Sequence, residues 1–399
     1  MGLITKGGHF LRRHGLRATL RAVIRRLDSH SSTARGGARK TLPYRFAYEP
    51  LQYRYNSAAT ARAASPERIN WVIPDFYGSS GGHRTIFRMT RALEEAGYEV
   101  HFHIFGETHY VSDSEATEAL RTFYFPLKAS VHAGVTEMLP AEVCMASSWE
   151  TAYAVRDFDA CRRKIYFVQD FEPAFFPASA EMMLAEDSYR FGFECFCAGR
   201  WLAQKMRDYG NRAEYFNLAY DPAIYFAGPG PHGKRRVVFY ARHETRRRGT
   251  ELGLLALALL KERMRELEVV LFGSDDLSYQ LPFEFTSAGI LGEHELADLY
   301  RGATVGLSVS LTNYSLLPQE MLACGLPVVE MNLPPLRAAY PDESPGLRLA
   351  HPTPTGIAAA LEQVLTLTES EIRREREGAS SLVSHLSWSQ AGRALVDFL

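Results

Sequence analysis

The sequence has few cysteines, no long apolar run and almost no net charge. Its five cysteines form no CxxC pair, which argues against a zinc-binding motif and against a disulfide framework. The longest apolar run, residues 252–260, is about half the length of a membrane-spanning helix. The formal net charge of −1 argues against nucleic acid as a partner. We expect a chain of the reducing cytoplasm.

What is present is an ordinary globular composition, 46% hydrophobic and 23% charged, which excludes a wholly disordered or collagen-like chain. The 399 residues favour two large domains, because one domain typically takes about 100 to 200 residues.

The first forty residues are strongly basic. Residues 1–40 contain ten lysines and arginines and one acid, Asp28. Arginines recur at every fourth position from Arg13 to Arg25, and leucine or isoleucine does so at nearby positions. This pattern predicts a helix with one basic and one apolar face, as in helices that lie on membranes. We expect residues 1–30 to bind an anionic membrane surface on its cytoplasmic side; a solvated extension is the alternative.

From residue 68 onward, short apolar runs alternate with helical patterns, which predicts βα units and parallel sheets. We predict two blocks, joined by residues 209–232, which are rich in glycine, proline and aromatic residues. The first block has strands at 69–74, 100–105, 143–146 and 164–169, with a helix at 83–96. The second has strands at 236–240, 269–272, 305–309 and 327–330, with helices at 251–265 and 318–324.

The predicted architecture is therefore α/β, with two Rossmann-like domains facing a central cleft. Ligands in such sheets bind at the carboxyl ends of the strands. The expected divisions are a basic helical extension (1–40), an acceptor-side domain (41–220), a nucleotide-sugar-binding domain (221–378) and a C-terminal helix (379–399) that packs back on the first domain.

Two segments carry the predicted chemistry. Glu320 is expected to open a short helix, next to a loop whose helix-start N–H groups can hold phosphate. A carboxylate there can accept two hydrogen bonds from a ribose diol, although Glu320 could instead only favour the helix dipole. Residues 242–248 contain four arginines just after a predicted strand. They are suited to binding a diphosphate; a solvated basic turn is the alternative.

Together these motifs resemble the retaining glycosyltransferases of family 4, which have the GT-B fold, from about residue 69 to near the end. The resemblance implies that Arg242 and Arg248 hold the donor diphosphate, with Arg248 replacing the family's lysine. It implies that Glu320, followed by ACGLPV at 323–328, binds the ribose. Gly81 and Gly82 match the family's glycine loop, and Gly289, Ile290 and Leu291 match its nucleobase-contacting turn.

The strings at residues 73–76, 168–173 and 310–320 look like those of WsaF-type rhamnosyltransferases, which implies a dTDP-β-L-rhamnose donor. The family usually has a second glutamate eight residues before the ribose glutamate. Here that position is Thr312, which is shorter and uncharged, so the contact to the donor sugar differs. The other donor contacts expected in this string are Asn313, Tyr314, Ser315, Leu316 and Leu317.

Acceptor activation is assigned to residues 167–173, where the family often has a histidine in the cleft. Asp170 is the first candidate for positioning or deprotonating the acceptor hydroxyl, with Glu172 second; a loop cap is the alternative for Asp170. His83 is expected to contact the donor phosphate or to orient the acceptor. In the family the leaving diphosphate itself helps take the proton, so Arg242 and Arg248 act by stabilising its charge.

The function that this resemblance implies is transfer of L-rhamnose, or a related deoxysugar, from a dTDP-sugar to a glycan or lipid-linked glycan in cell-surface polysaccharide synthesis. No metal or other cofactor is expected, and the acidic pair Asp157 and Asp159 is not interpreted as a metal site. A nucleotide-sugar epimerase and a non-catalytic sugar-binding subunit are the alternatives.

Overall fold

The computed structural model describes residues 42–57, 60–61, 64–78, 80–231, 235–277, 279–340 and 344–399. The predicted basic helix lies outside these described residues. No helix in the described part of the chain is both long and apolar enough to cross a membrane.

The first domain is built on a seven-stranded parallel sheet. Its strands are β1 (Ser65–Ile73), β2 (Glu99–Ile104), β3 (Ser130–His132), β4 (Ala141–Ala146), β5 (Cys161–Val168), β6 (Glu194–Ala198) and β7 (Ala213–Phe216). Its helices are α1 (Gly81–Glu95), α2 (Asp113–Phe123), α3 (Trp149–Asp157), α4 (Ala180–Ser188) and α5 (Arg200–Asp208). The strand order is β3-β2-β1-β4-β5-β6-β7.

The second domain is built on a six-stranded parallel sheet. Its strands are β8 (Arg236–Tyr240), β9 (Glu268–Phe272), β10 (Thr286–Gly289), β11 (Val305–Leu307), β12 (Val328–Met331) and β13 (Leu347–Ala350). The helices are α6 (Thr250–Arg263), α7 (Glu293–Arg301), α8 (Leu316–Ala323), α9 (Pro334–Ala339), α10 (Pro354–Leu365), α11 (Glu369–Val383) and α12 (Trp388–Phe398). The strand order is β10-β9-β8-β11-β12-β13.

In both sheets the order in which strands are added reverses at the first strand. The chain moves outward from β1 to β3 and then crosses to β4 on the other side, and it repeats this from β8 to β11. This order confirms the prediction of two Rossmann-like domains. It also marks the reversal points, β1/β4 and β8/β11, where such sheets leave a crevice for ligands.

Burial explains why the strand predictions succeeded. In β1, residues 69–73 are all buried, and in β8 residues 237–239 are fully buried. Parallel sheets covered on both faces need such continuous apolar runs.

Two predictions were wrong. Residues 213–216, assigned to a linker, form the edge strand β7. Glu320 lies in the second turn of α8 and not at its start, because the helix already begins at Leu316.

The C-terminal helix α12 packs on the first domain. An ideal Cβ built on Gly392 would lie 2.5 Å from the Cβ of Ala92 in α1, so the two helices touch closely at this point. Arg163 of β5 donates a hydrogen bond to the carbonyl of Phe398 at 3.1 Å, and the Phe398 ring lies 5.3 Å from that of Phe196. The preceding helix, α11, packs on α8 of the second domain. The chain end therefore ties the two domains together.

A second joint between the domains is made by the loop after β11. The amide of Asn313 donates to the carbonyls of Gln169 and Ala198, at 3.1 and 3.0 Å, which follow or end strands of the first domain. The neighbouring Tyr314 hydroxyl accepts from the N–H of Leu218 at 3.0 Å. We call residues 310–315 the joint loop. It fixes the distance between the two sheets at their carboxyl ends.

The joint loop fits only because residue 199 is glycine. Gly199 has a φ of 96°, and an ideal Cβ there would lie 2.5 Å from the Tyr314 ring. Gly199→Ala is expected to lower the free energy of unfolding for two reasons. Its φ of 96° and ψ of 157° strain a residue other than glycine by about 1–3 kcal/mol, and the added Cβ overpacks the site by about 1–3 kcal/mol. Denaturant unfolding measures both.

Gly192→Ala is the matched control, because Gly192 also has positive φ, 74°, but faces open space among the described residues. Equal destabilisation by the two substitutions would contradict the close packing of Tyr314 at the joint.

Candidate active site

The residues predicted to carry the chemistry lie after the carboxyl ends of strands from both sheets. Gly81 and Gly82 follow β1, Asp170 follows β5, Arg242 follows β8 and Thr312 follows β11. Gly81, Gly82 and Asp170 belong to the first domain, and Arg242 and Thr312 belong to the second. Because the joint loop holds these sheet ends together, the segments face one another across one cleft.

An ion pair crosses this cleft. The Nε atom of Arg247 lies 3.4 Å from Oδ2 of Asp170, and the Arg247 guanidinium lies over the ring of Phe175 at 4.4 Å. The Thr312 side chain also lies close enough to the Asp170 carboxylate to favour its ionised form. Burial raises the pKa of Asp170, while Arg247 and Thr312 act in the opposite direction. Asp170 is thus a partly desolvated carboxylate held by two groups of the other domain.

Arg242 and Arg248 lie beside this pair. Arg248 donates to Oγ of Ser310 at 3.3 Å and lies 5.9 Å from the ring of Tyr240. The more exposed Arg242 donates to the Tyr240 hydroxyl at 3.5 Å. Two guanidinium groups therefore lie against one tyrosine at the end of β8, and Arg247 lies between them and Asp170 on the same segment. Such a concentration of positive charge is suited to a diphosphate.

Arg247 was one of four arginines in the sequence pattern, but it received no separate role there. Three consecutive arginines look equivalent in a sequence. The 3-10 turn Arg246–Arg248 separates them, because it turns Arg247 toward Asp170 and leaves Arg246 exposed. This distinction depends on backbone geometry that composition does not reveal.

Replacing Arg248 is expected to weaken binding of a nucleoside diphosphate by about 10- to 100-fold, because a hydrogen bond to a charged group contributes about 1.5–3 kcal/mol. Isothermal titration calorimetry with dTDP measures this for Arg248→Ala. Arg246→Ala is the control, since Arg246 is exposed on the same turn. Unchanged dTDP affinity in Arg248→Ala would remove Arg248 from the phosphate site.

Glu320 lies where the two domains meet beside α1. The charges that act on it belong to Arg84 and Arg88 of α1 and to Glu293 of α7. Arg84 and Glu293 are themselves paired across the domains at 3.0 Å. Burial, and then Glu293, raise the pKa of Glu320 to about 8, against the opposing effect of the two arginines. Without a ligand, the Glu320 carboxyl group is therefore largely protonated at neutral pH.

If ribose hydroxyls donate to Glu320, they stabilise its ionised form, so donor binding should release a proton. Affinity for a dTDP-sugar should then rise several-fold from about pH 6 to pH 8 and level off above the pKa of Glu320. Calorimetry across this pH range, in buffers of different ionisation enthalpy, measures affinity and proton release together. Glu320→Gln should abolish the pH dependence; an equal slope in both proteins would contradict the ribose assignment.

The glycine loop faces the end of β5. Gly81 and Gly82 are the first two residues of α1 and both are exposed. An ideal Cβ on Gly82 would lie 3.6 Å from Nε2 of Gln169, the residue before Asp170. The start of α1 therefore borders the cleft next to Asp170, as the predicted role of this loop requires.

His83 has both ring nitrogens engaged within the first domain. Nδ1 lies 2.9 Å from Oγ of Ser80 and Nε2 lies 3.1 Å from the carbonyl of Pro74. Burial lowers its pKa to about 4, so the ring is neutral. The carbonyl requires a proton on Nε2, and Nδ1 is then an acceptor. The predicted contact of His83 with the donor phosphate is replaced by a structural one, which fastens the glycine loop to the end of β1.

Glu172 also lies inside the first domain, only 6% exposed. Its carboxylate accepts from the N–H of Trp149, the first residue of α3, at 2.8 Å and from the Tyr166 hydroxyl at 3.4 Å. Burial raises its pKa to about 8. This geometry makes Glu172 a buried cap of α3 and corrects its expected role in acceptor activation. Asp170 is the acid of this segment that contacts the second domain at the cleft.

The predicted donor contacts in the joint loop divide into two groups. Asn313 and Tyr314 are 3% and 6% exposed and their side chains bind the first domain, so they are corrected from donor contacts to parts of the joint. The others remain around the cleft: Thr312 contacts Asp170, Ser315 is the N-cap of α8, and Leu316 and Leu317 are its first two residues.

Glu330 is a functional candidate that sequence reasoning missed. It ends the apolar run of β12 with no exposed surface, and its carboxylate accepts from Ser310 N–H at 3.0 Å, Ser310 Oγ at 3.1 Å and Met331 N–H at 2.9 Å. Burial raises its pKa to about 7. Glu330 thereby holds Ser310, the residue that Arg248 contacts. An acid directly after buried valines was the available signal.

The predicted nucleobase turn follows β10. Gly289 has a φ of 66°, and the N–H of Ile290 donates to Oδ1 of Asp275 at 3.0 Å, so the turn is fixed while the Ile290 side chain is 44% exposed. Leu291 comes next and is half-buried. Ser274, which precedes Asp275, donates to Glu244 of the arginine segment at 3.0 Å. The turn therefore lies beside the arginines that are candidates for binding the diphosphate.

The described residues contain no cluster of three or more His, Cys, Asp or Glu side chains that could hold a metal ion. In the acidic pair considered above, Asp157 accepts from the N–H of Leu51 at 3.0 Å and Asp159 pairs with Lys164 at 3.2 Å. Both acids therefore have structural partners in the first domain.

Two Rossmann-like domains whose sheet ends face a common cleft define the GT-B fold. HepE of Anabaena, solved with UDP-glucose, is similar with a TM-score of 0.63 at 14% identity, covering 83% of this chain and 100% of that one. A sucrose-phosphate synthase from Thermosynechococcus elongatus gives 0.64 at 13% identity, covering 83% and 98%. A glycosyltransferase from Rickettsia africae gives 0.60 at 13%, covering 84% and 98%. At these identities the likeness shows the fold.

Sequence similarity is more specific. Residues 235–362 match the family model described as WsaF, C-terminal domain. The chain is also 31% identical over 368 residues to the O-antigen biosynthesis protein RfbC of Myxococcus xanthus. That alignment covers 86% of this chain but 28% of RfbC, so the chain spans little more than a quarter of the length of this curated relative.

Proposed function

We propose that this chain is a retaining glycosyltransferase that transfers L-rhamnose, or a related deoxysugar, from a dTDP-sugar to a glycan or lipid-linked glycan in polysaccharide synthesis. The observation that carries the proposal is the meeting of Asp170 of one domain with Arg247 and Arg248 of the other in a single cleft. The match to the WsaF C-terminal domain and the similarity to RfbC support the same class of reaction.

Leaving-group stabilisation falls to the arginines. As the bond between the sugar C1 and the phosphate oxygen breaks, negative charge grows on the diphosphate. Guanidinium groups fixed in a partly buried cleft stabilise that charge without rearranging, which is the largest effect such a site can supply. Arg242 and Arg248 lie against Tyr240, and Arg247 on the same segment reaches Asp170, so the three cations border one cleft.

Acceptor activation falls to Asp170. In the unliganded structure its carboxylate is paired with Arg247. A diphosphate that binds Arg247 draws this cation away, so the partly desolvated carboxylate regains basicity at the moment the donor is in place. The acceptor oxygen then forms its bond to C1 on the face from which the diphosphate leaves, and the hydroxyl proton passes to Asp170 or to the departing phosphate oxygen.

The proposed deoxysugar fits the residue at position 312. An acid there would bind sugar hydroxyls as a charged acceptor, whereas Thr312 is uncharged and lies beside Asp170. A donor sugar with one hydroxyl fewer needs one hydrogen-bond partner fewer, so it does not require a charged acceptor at this position. Residues 1–30, with their basic and apolar periodicity, are proposed to hold the enzyme at an anionic membrane, where a lipid-linked acceptor would lie.

The donor is tested by calorimetry of the full chain against dTDP-rhamnose, dTDP-glucose, UDP-glucose and GDP-mannose. Preferential binding of dTDP-rhamnose is expected. Preference for a UDP- or GDP-sugar would keep the fold and overturn the rhamnose assignment. Absence of binding to every donor, together with normal thermal unfolding, would favour a non-catalytic subunit.

Asp170→Asn is expected to slow sugar transfer by about 10²- to 10⁴-fold, the usual contribution of general base catalysis. Donor affinity should be no weaker than in the wild type, because a competing partner of Arg247 is removed. Single-turnover transfer with radiolabelled donor and isolated membranes as acceptor measures the rate. Asp208→Asn, an exposed position on α5, is the control; a wild-type rate for Asp170→Asn would remove Asp170 from catalysis.

A further inference from the structure

A second polar cavity lies in the first domain, on the face of the sheet away from α1. The Phe102 ring of β2 contacts Phe87 of α1 at 5.1 Å between ring centroids, so this side chain points toward the helix. Neighbouring residues along a strand point to opposite faces. His101 and His103, on either side of Phe102, therefore point away from α1.

Strand pairing adds two more polar side chains to this face. Asn70 of β1 is in register with His101, and His132 of β3 is in register with His103. They line a cavity of about 520 Å³, which is within the usual range for small-molecule sites. The cavity lies along the sheet face, whereas the candidate active site lies beyond the carboxyl ends of the strands. The main lining residues are Tyr55, Arg68, Asn70, His101, His103 and His132.

Two residues that line the cavity have a buried acceptor atom without a donor. Asn70 is 1% exposed; its Nδ2 donates to the carbonyl of Leu139 at 2.7 Å, and its Oδ1 has no hydrogen-bond partner among the described residues. His103 is 5% exposed, and its Nδ1 lies 3.3 Å from the carbonyl of Gly134, which places the proton on Nδ1. Its Nε2 is then a bare acceptor, without a partner in the part of the chain that the structure describes.

A third acceptor comes from the pair His101 and His132. Their outer nitrogens lie beside carboxylates, His132 Nδ1 at 2.8 Å from Asp113 and His101 Nε2 at 3.1 Å from Glu99. Asp113 holds a proton on His132 Nδ1, whereas His101 Nε2 makes no hydrogen bond to Glu99 or to any other described residue. The inner nitrogens face each other at 3.4 Å, and each lies 2.9 Å from Oγ of Ser130. One hydroxyl proton serves one nitrogen, so whichever nitrogen of His101 carries its proton, one acceptor of the pair needs a donor from elsewhere.

The charged groups around the cavity are paired with one another. Arg54 binds Glu137 at 3.0 Å and Arg68 lies 3.4 Å from Glu99. Burial lowers the pKa of His103 to about 3, so its ring is neutral. Buried acceptors are normally satisfied, and three of them in a cavity whose charges are already paired call for a neutral ligand that brings several O–H donors. A sugar residue has this chemistry.

We propose that this cavity is a second carbohydrate site, which binds a neutral sugar unit through hydroxyls that donate to Asn70, His103 and the pair His101 and His132. This binding does not depend on the proposed transfer reaction. If that reaction is correct as well, the site would hold part of the acceptor glycan away from its reacting end and so raise the local concentration of acceptor.

The test is calorimetry and saturation-transfer NMR of the full chain with neutral disaccharides of rhamnose, mannose, glucose and galactose, in the presence of saturating dTDP. At least one disaccharide should bind, and dTDP should not displace it. Asn70→Leu and Tyr55→Ala should each weaken binding at least tenfold. Tyr48→Ala, exposed and outside the cavity lining, should bind as the wild type does.

Tyr55 lies on the wall of the cavity, so Tyr55→Ala keeps the test informative if Asn70→Leu fails to fold. Thermal unfolding and dTDP affinity report whether each variant is folded.

Three results would overturn the proposal: no disaccharide binding at millimolar concentration, equal binding by wild type and both cavity variants, or displacement of the disaccharide by dTDP. One-to-one binding of zinc chloride that His101→Ala abolishes, without sugar binding, would overturn it in favour of a cation site. If the wild type does not bind dTDP, that result counts against the proposed function and not against this site.

Discussion

The structure depends on one hydrogen-bonded amide. Asn313 donates to two carbonyls of the first domain while its own backbone belongs to the loop that leaves β11 of the second. An amide group with two donors in a fixed plane is well suited to this, because it sets both the distance and the angle between the two sheet ends. The residue before it, Thr312, contacts Asp170. The joint and the cleft are therefore parts of the same loop.

Electrostatics follow from that geometry. Bringing the end of β5 to the end of β8 places a carboxylate against a group of arginines, and partial burial strengthens their interaction relative to water. Glu330 accepts two hydrogen bonds from Ser310 and so holds the joint loop in one conformation beside the arginines. Arg248 is therefore held in place before any ligand enters, and charges fixed in advance stabilise a transition state most effectively.

The sequence was sufficient for the central strands of both sheets. It was insufficient for β3, β6, β7, β10 and β13, which lie toward the sheet edges, and for the contacts between the sheets. Continuous apolar runs such as β8 and β9 are required by burial on both faces, so their pattern is local and was predicted correctly. The strand β7 was missed because its four residues are only half apolar and acquire their identity by pairing with β6. Glu172, His83 and Asn313 are residue types common in active sites, but in this structure their side chains hold parts of the fold together. Only the tertiary structure separates them from Asp170.

The account is tested most directly by the affinity of a dTDP-sugar for Arg247→Gln, measured in the wild-type and Asp170→Asn backgrounds. If the donor diphosphate and Asp170 compete for Arg247, the substitution weakens donor binding in both backgrounds and does so more strongly where Asp170 has been replaced, because the arginine is then free for the donor. Unchanged donor affinity on replacing Arg247 in both backgrounds would contradict the account, since the cation that crosses the cleft would then play no part in holding the donor.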